Sequence, residues 1–241
     1  MKEWIYGRNP VYETLRAGRR QTFRLRIAQG VQEKGRLAEI LDLGSRRKIP
    51  LERTARATLD GINPGHQGIA LECSGYPYAD LPDLLDRASQ SHEPPLILIL
   101  DSLQDPQNLG TLLRTAEAFG VHGVLLPLRH TATVTPAVVS TSSGSSEHLL
   151  IAQVNLAQAI ATLKSVGVWV IGLENDPEAL LPEKLRLDGP LALVVGSEGE
   201  GMRPLVRKSC DQLLRLPMRG KVESLNAAVA GSIALYLVWK D

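Results

Sequence analysis

LILILDSLQDPQNLGTLLRTAEAFG, residues 96–120, is the stretch whose reading decides the architecture. Leu96–Leu100 is an unbroken apolar run with no polar alternation, the pattern of a short strand buried on both faces. Asp105 then offers a carboxylate at a helix start, and Pro106 suits the first helical position because its missing N–H would be unsatisfied there anyway. Leu109, Leu112, Leu113, Ala116 and Phe119 form an apolar stripe at helical spacing, and Gly120 stops it. The rhythm of strand, loop and helix recurs. Apolar runs at 123–126, 167–173 and Leu191–Val195 alternate with helical segments at 107–119, 135–142 and 155–165. That alternation predicts an α/β domain with a parallel sheet. Ligands of such sheets bind outside the carboxyl ends of the strands. The loops after Leu100, Leu126, Leu173, Val195 and Leu216 are therefore the ones to search.

Upstream the pattern differs. Residues 6–18 read as a helix with Pro10 in its first turn, Val11 and Leu15 on one face and Gly18 as stop. Residues 23–27 alternate apolar and basic, predicting a half-buried strand with Arg24 and Arg26 outward. A helix over 31–47, a strand at 49–51, a polar helix at 53–60 and a turn entering a strand at 64–73 complete a small α/β unit. Pro77, Pro82, Pro94 and Pro95 surround one short helix at 81–88. The expected division is a domain at 1–74, a linker at 75–94 and a second domain at 95–241.

Composition supports two unequal domains. The 241 residues are 44% apolar and 22% charged, ordinary values for a globular protein. A net charge of +1 hides an asymmetry: residues 1–75 carry 14 Lys/Arg against 8 Asp/Glu, and the remainder 13 against 18. The N-terminal piece is thus the one suited to meet a polyanion. Aromatics at 4% argue against a base-stacking platform. Cys73 and Cys210 stand far apart without a CxxC or a His cluster, so neither a disulfide nor a metal site is expected. The start lacks an apolar leader core. The apolar stretch at 227–239 is broken by Gly231 and Ser232 and is too short to span a bilayer. The expectation is a cytoplasmic protein.

Three stretches carry candidate chemistry. In 101–120, Asn108 and Arg114 lie off the apolar stripe, as functional groups or as surface residues with Arg114 paired to Glu117. In LALVVGSEGEGMRPLV, residues 191–206, a buried strand enters a loop with Gly196, Gly199 and Gly201 interleaved with Glu198 and Glu200. The spacing is not the dinucleotide fingerprint, and no Lys-Ser/Thr follows as in a P-loop. Carboxylates on a Gly-rich loop suit a neutral or cationic ligand better than a phosphate. In LPMRGKVESLNAAVAG, residues 216–231, Ser224 and Asn226 stand at the mouth of an apolar helix. Ser224 alone reads equally well as that helix's N-cap. His66 reads as filling a turn and His148 as ordering a loop.

In this order the three stretches resemble the motifs of the SpoU (TrmH) family of RNA ribose 2′-O-methyltransferases, over roughly residues 95–240. SSGSSEHLLIAQV, residues 142–154, resembles a further family segment. YGRNPVYETLRAG and HQGIALE resemble the L30-like substrate domain of the branch that methylates a guanosine of 23S ribosomal RNA. The resemblance implies a SPOUT-type α/β domain with a parallel sheet and a deep trefoil knot, beside the L30-like α/β substrate-binding domain. It implies S-adenosylmethionine as methyl donor, held at Gly196, Leu216 and Leu225. It implies catalytic roles for Asn108, Arg114, Glu198, Ser224 and Asn226, a homodimer joined partly by the C-terminal helix, and RNA as partner. Ala227-Ala228 and Ser145-Ser146 depart from the commoner family residues, outside the site core. A transfer-RNA ribose methyltransferase and an RNA-binding module without catalysis are the alternatives. A dehydrogenase is disfavoured by the absent GxGxxG.

Overall fold

The computed structural model describes residues 2–222 and 224–240. In chain order its elements begin with β1 (Lys2–Tyr6), α1 (Arg8–Ala17), β2 (Thr22–Ala28), α2 (Arg36–Arg46), β3 (Leu51–Thr54), α3 (Arg56–Asp60) and β4 (Ile69–Ser74). Then come α4 (Leu81–Ser91), β5 (Leu96–Leu100), α5 (Pro106–Ala118), β6 (Gly123–Pro127), α6 (Pro136–Thr141), β7 (Ile151–Val154) and α7 (Leu156–Ser165). The chain continues through β8 (Trp169–Leu173), β9 (Leu191–Val195), α8 (Pro204–Ser209), β10 (Gln212–Leu214) and α9 (Ala227–Lys240). Contacts divide it into two compact units, Met1–Pro77 with Thr133–His148, and Tyr78–Ala132 with Leu149–Asp241.

The first unit holds a four-stranded sheet in the order β1-β4-β2-β3. β4 is its buried centre, antiparallel to both β1 and β2, while β2 and β3 run parallel. Sequence periodicity begins this unit with a helix at residue 6, and the structure places a strand before it. The burial of Lys2–Tyr6 alternates only weakly, and its strand character comes from pairing with β4, about seventy residues away.

Residues 133–148, read from chain order as part of the C-terminal alternation, pack in this first unit. Charge holds them there. The Arg20 guanidinium is fully buried, donating from Nε and one terminal nitrogen to the two Glu147 carboxylate oxygens at 2.8 Å each. Its other terminal nitrogen donates to Glu3 and to the Ser74 carbonyl. Removing one partner of such a pair strands a buried charge, at a cost of about 3–5 kcal/mol. Both histidines take the places read for them. His66 is fully buried, accepts from the Gly68 N–H at 2.8 Å and meets Asp60, fixing the turn into β4. His148 meets Glu13 of α1 at 2.8 Å.

The second unit is built on a six-stranded, wholly parallel sheet in the order β10-β8-β9-β5-β6-β7. Every residue of β6 and β9 is buried, as the continuous apolar runs predict. β5 to β7 extend the sheet one way. The chain then returns to build β8, β9 and β10 on the other side of β5, and this reversal leaves a crevice at the carboxyl edge. β7 and α8, of four and six residues, went unread in the sequence. Among the described residues no helix is long and apolar enough to cross a membrane.

Candidate active site

At that carboxyl edge lies a cavity of about 530 Å³, within the second unit. Leu173 ends β8, Val195 ends β9, and both line it together with the loop from Gly196 to Gly201. Leu216, Met218, Ser224 and Leu225 close the opposite wall, with Ala227 and Ala230 of α9. The polar part of the lining includes the carboxylates of Glu174, Glu198 and Glu200 and, among the described residues, contains no Lys or Arg. A cationic or neutral ligand is favoured there, and a phosphate is not.

The loop after β9 owes its shape to its glycines. Ser197 and Gly201 exchange backbone hydrogen bonds at 3.0 and 3.1 Å, folding residues 198–200 into a tight turn. Gly199 and Gly201 sit at φ +89° and +69°, where a Cβ is strained. Gly196 has a different reason. A Cβ on it would fall well inside 3.0 Å of backbone atoms of Gly201 and Met202. The far end of the loop is tied to β5 by Asp101, which is fully buried. Asp101 accepts from the Arg203 N–H at 2.8 Å and from Arg203 Nε at 2.7 Å. Asp101 was not singled out in the sequence. The available signal was an acid directly after a strand buried on both faces.

Three of the predicted catalytic residues meet at the rim. Asn226 Nδ2 donates to Asn108 Oδ1 at 3.0 Å and to Glu198 Oε2 at 3.1 Å, and Asn108 Nδ2 reaches Glu198 Oε2 at 3.4 Å. Asp105 caps α5 by accepting from the Gln107 N–H, which sets Asn108 in that helix's first turn. Ser224 lines the cavity but does not cap α9. The cap is Asn226, whose Oδ1 accepts from the Ala228 and Val229 N–H groups at 3.0 and 3.2 Å. The helix therefore starts later than Ser224. One asparagine side chain spends its oxygen on the helix and its nitrogen on the cluster.

Gly196, Leu216 and Leu225 all line the cavity, and Leu225, which periodicity would assign to the core, is 37% exposed. Arg114 is exposed on α5, six residues beyond Asn108 and so about 120° away around the helix. Glu198 orients the amides of Asn108 and Asn226. Among the described residues no group of His, Cys, Asp and Glu is arranged to hold a metal ion.

Comparison with known proteins is consistent along the chain. The family model described as "SpoU rRNA Methylase family" matches residues 95–236, and "RNA 2'-O ribose methyltransferase substrate binding" matches residues 4–79. A Bacillus subtilis protein named as a TrmH family tRNA/rRNA methyltransferase, YacO, is 41% identical over 243 residues, covering 99% of this chain and 95% of its own. Two solved structures share the fold at a TM-score of 0.81, each covering 99% of this chain. The SpoU methyltransferase AviRb from Streptomyces viridochromogenes, in complex with AdoMet, is 23% identical with 90% of its chain covered. An AdoMet-bound rRNA methyltransferase from Sinorhizobium meliloti is 22% identical with 87% covered.

Proposed function

The chain belongs to the SpoU family of RNA ribose methyltransferases, and from that premise we propose that it methylates the ribose 2′-OH of a guanosine in 23S ribosomal RNA. The observation that carries this reading is the Asn108–Glu198–Asn226 cluster, set on the rim of a cavity rich in carboxylates at the ends of β8 and β9. When bound, S-adenosylmethionine supplies a methyl group on a cationic sulfonium. Glu174, Glu198 and Glu200 suit that positive charge, and Gly196, Leu216 and Leu225 offer main chain and apolar surface to the rest of the molecule. The trefoil threading implied by the family resemblance belongs to the same proposal.

Asn108 and Asn226 are held by Glu198, so their remaining hydrogen-bonding capacity is oriented before the nucleotide arrives. Ser224 adds a hydroxyl to the same wall and positions the ribose. Arg114 serves as an electrostatic clamp on the adjacent phosphate and on the developing alkoxide, since a guanidinium is always charged and makes a poor base. The proton leaves to that phosphate or to water. Arg114→Lys keeps the charge and loses the planar fork, so methylation should fall by about tenfold or more. A near-normal rate in that variant would remove the clamp.

The active species is a homodimer in the cytoplasm. On α9, Val229, Ile233, Tyr236 and Trp239 are 41–57% exposed at helical spacing, and the two aromatics pack with Phe119, the residue that follows α5. That apolar face is a natural seat for a second copy, and a monomer by sedimentation would exclude it. The enzymatic test is transfer of labelled methyl to unmodified 23S ribosomal RNA and transfer RNA transcripts, with the product nucleotide mapped. Label on a 23S guanosine is expected. Label on transfer RNA alone supports the runner-up substrate, and bound cofactor without any transfer supports a non-catalytic module.

A further inference from the structure

We propose that a second cavity, in the first unit, binds the RNA backbone through Arg8 and Arg56; this rests on the RNA methyltransferase reading above and names where the RNA is held. Most of the charge in this unit is already paired. Residues 1–75 contain eight carboxylates, and every one lies within ion-pair distance of a Lys, Arg or His of the same unit. Arg24 and Arg26, read from the sequence as outward cations, are partnered by Glu72 and Glu52. The local excess therefore falls on Arg8, Arg19, Lys34, Arg47, Lys48 and Arg56. Arg19 is committed to the Tyr76 hydroxyl and the carbonyls of Pro77 and Glu147.

Of the remaining five, Arg8 and Arg56 line one cavity of about 460 Å³, with Gln29, Gly30, Gln67 and Gly68 around it and, among the described residues, no carboxylate in its lining. Arg8 is prepositioned. Its backbone N–H donates to Gln67 Oε1 at 2.9 Å and its Nε to the Gln67 carbonyl at 3.3 Å, which leaves the two terminal nitrogens of its fork available. Gln67 holds a left-handed backbone at φ +51°, uncommon for a residue with a side chain. The neighbouring Gly30, at φ +73°, has open space where a Cβ would stand. Two forked cations, amides from two glutamines and a bare backbone suit the phosphate and sugar of a strand. Among the described residues the two cavities differ in sign: the one at the sheet edge has three carboxylates and no cation, and this one has two arginines and no carboxylate.

The test uses the full chain and unmodified 23S ribosomal RNA transcript as probe, with binding measured from about 50 to 200 mM salt. Arg8→Gln with Arg56→Gln should weaken binding by roughly tenfold or more and lower the slope of log affinity against log salt by about 1–2. KM for RNA should rise with kcat held within about twofold, and S-adenosylmethionine affinity should not change. Lys34→Gln with Lys48→Gln removes equal charge elsewhere on the unit and should change affinity less than about threefold. Arg8→Lys with Arg56→Lys should restore the salt slope but not the full affinity. Equal weakening by both Gln pairs, or none from the arginine pair, overturns the site in favour of a diffuse field. If the unaltered chain neither binds nor methylates either RNA, the functional reading itself has failed.

Discussion

Asn226 carries two separable loads, and two substitutions divide them. Its oxygen caps α9 and its nitrogen bridges Asn108 and Glu198. Asn226→Ala removes both. Loss of an N-cap costs about 1 kcal/mol, which for a chain of this size lowers Tm by roughly 2–4 °C. Asn226→Asp keeps an acceptor at the cap, and negative charge at a helix N-terminus is mildly favourable. It also sets a second carboxylate where the amide now stands, 3.1 Å from Glu198 Oε2. At that separation repulsion would be about 1.3 kcal/mol at the dielectric of bulk water, and because both groups are exposed they can swing apart to relieve it. The Asp variant should therefore melt close to the unaltered protein.

Activity should behave differently. A hydrogen bond to a charged group is worth about 1.5–3 kcal/mol, and if its orientation is needed in the transition state the rate falls roughly tenfold to a hundredfold. Both variants should lose that factor, with only Ala losing the melting temperature. The assay is methyl transfer at saturating cofactor, with thermal unfolding followed on the same preparations. An Asp variant of full activity would refute the bridge, and an Ala variant of unchanged Tm would refute the cap.

Gly196→Ala forces a Cβ into the backbone of Gly201 and Met202, an overpacking cost of about 1–3 kcal/mol, and should weaken S-adenosylmethionine binding by roughly tenfold, read by calorimetry. Unchanged affinity and melting would mean the loop yields freely. Burial pushes the Cys73 and Cys210 thiols up to about 12, so at pH 8 about one in ten thousand is ionised and alkylation of the folded protein should be slow by mass spectrometry. Rapid labelling before unfolding would contradict this. Burial holds His122 below the usual histidine range, with Glu93 opposing that shift, and its Nδ1 accepts from the Leu96 N–H. The unfolded chain then takes up the proton first, so this contribution is intact above about pH 6.5 and is lost as pH falls below it. The drop in Tm between pH 7.5 and pH 5.5 should shrink in His122→Gln, and an identical drop would refute the assignment.

How far the sequence could be read depended on how local each feature was. The strands Leu96–Leu100 and Leu191–Val195 stand where their apolar runs put them, and α5 begins at the Asp105–Pro106 signal. These features are written in adjacent residues. β1 and β7 were invisible because their partners, not their own pattern, make them strands. Arg24 and Arg26 were read as outward, and their pairing with Glu72 and Glu52 lay beyond that reading because it depends on register across the sheet. The candidate site divides in the same way. Asn108, Glu198 and Asn226 were each noticed beside a helix start or a glycine turn, while Asp101, directly after a strand, was not singled out.

By itself, then, the sequence determined the alternation that makes the second unit a parallel sheet, and the charge asymmetry that sets the two halves apart. Both follow from side-chain chemistry summed over short windows. Tertiary structure alone decided that Asn226 and not Ser224 caps α9, and that Asn108 and Asn226, 118 residues apart, share one carboxylate. It alone decided that residues 133–148 pack in the first unit, on the buried Arg20–Glu147 pair. Each of these depends on atoms within about 3 Å across long sequence separations, a distance that only the closed fold sets.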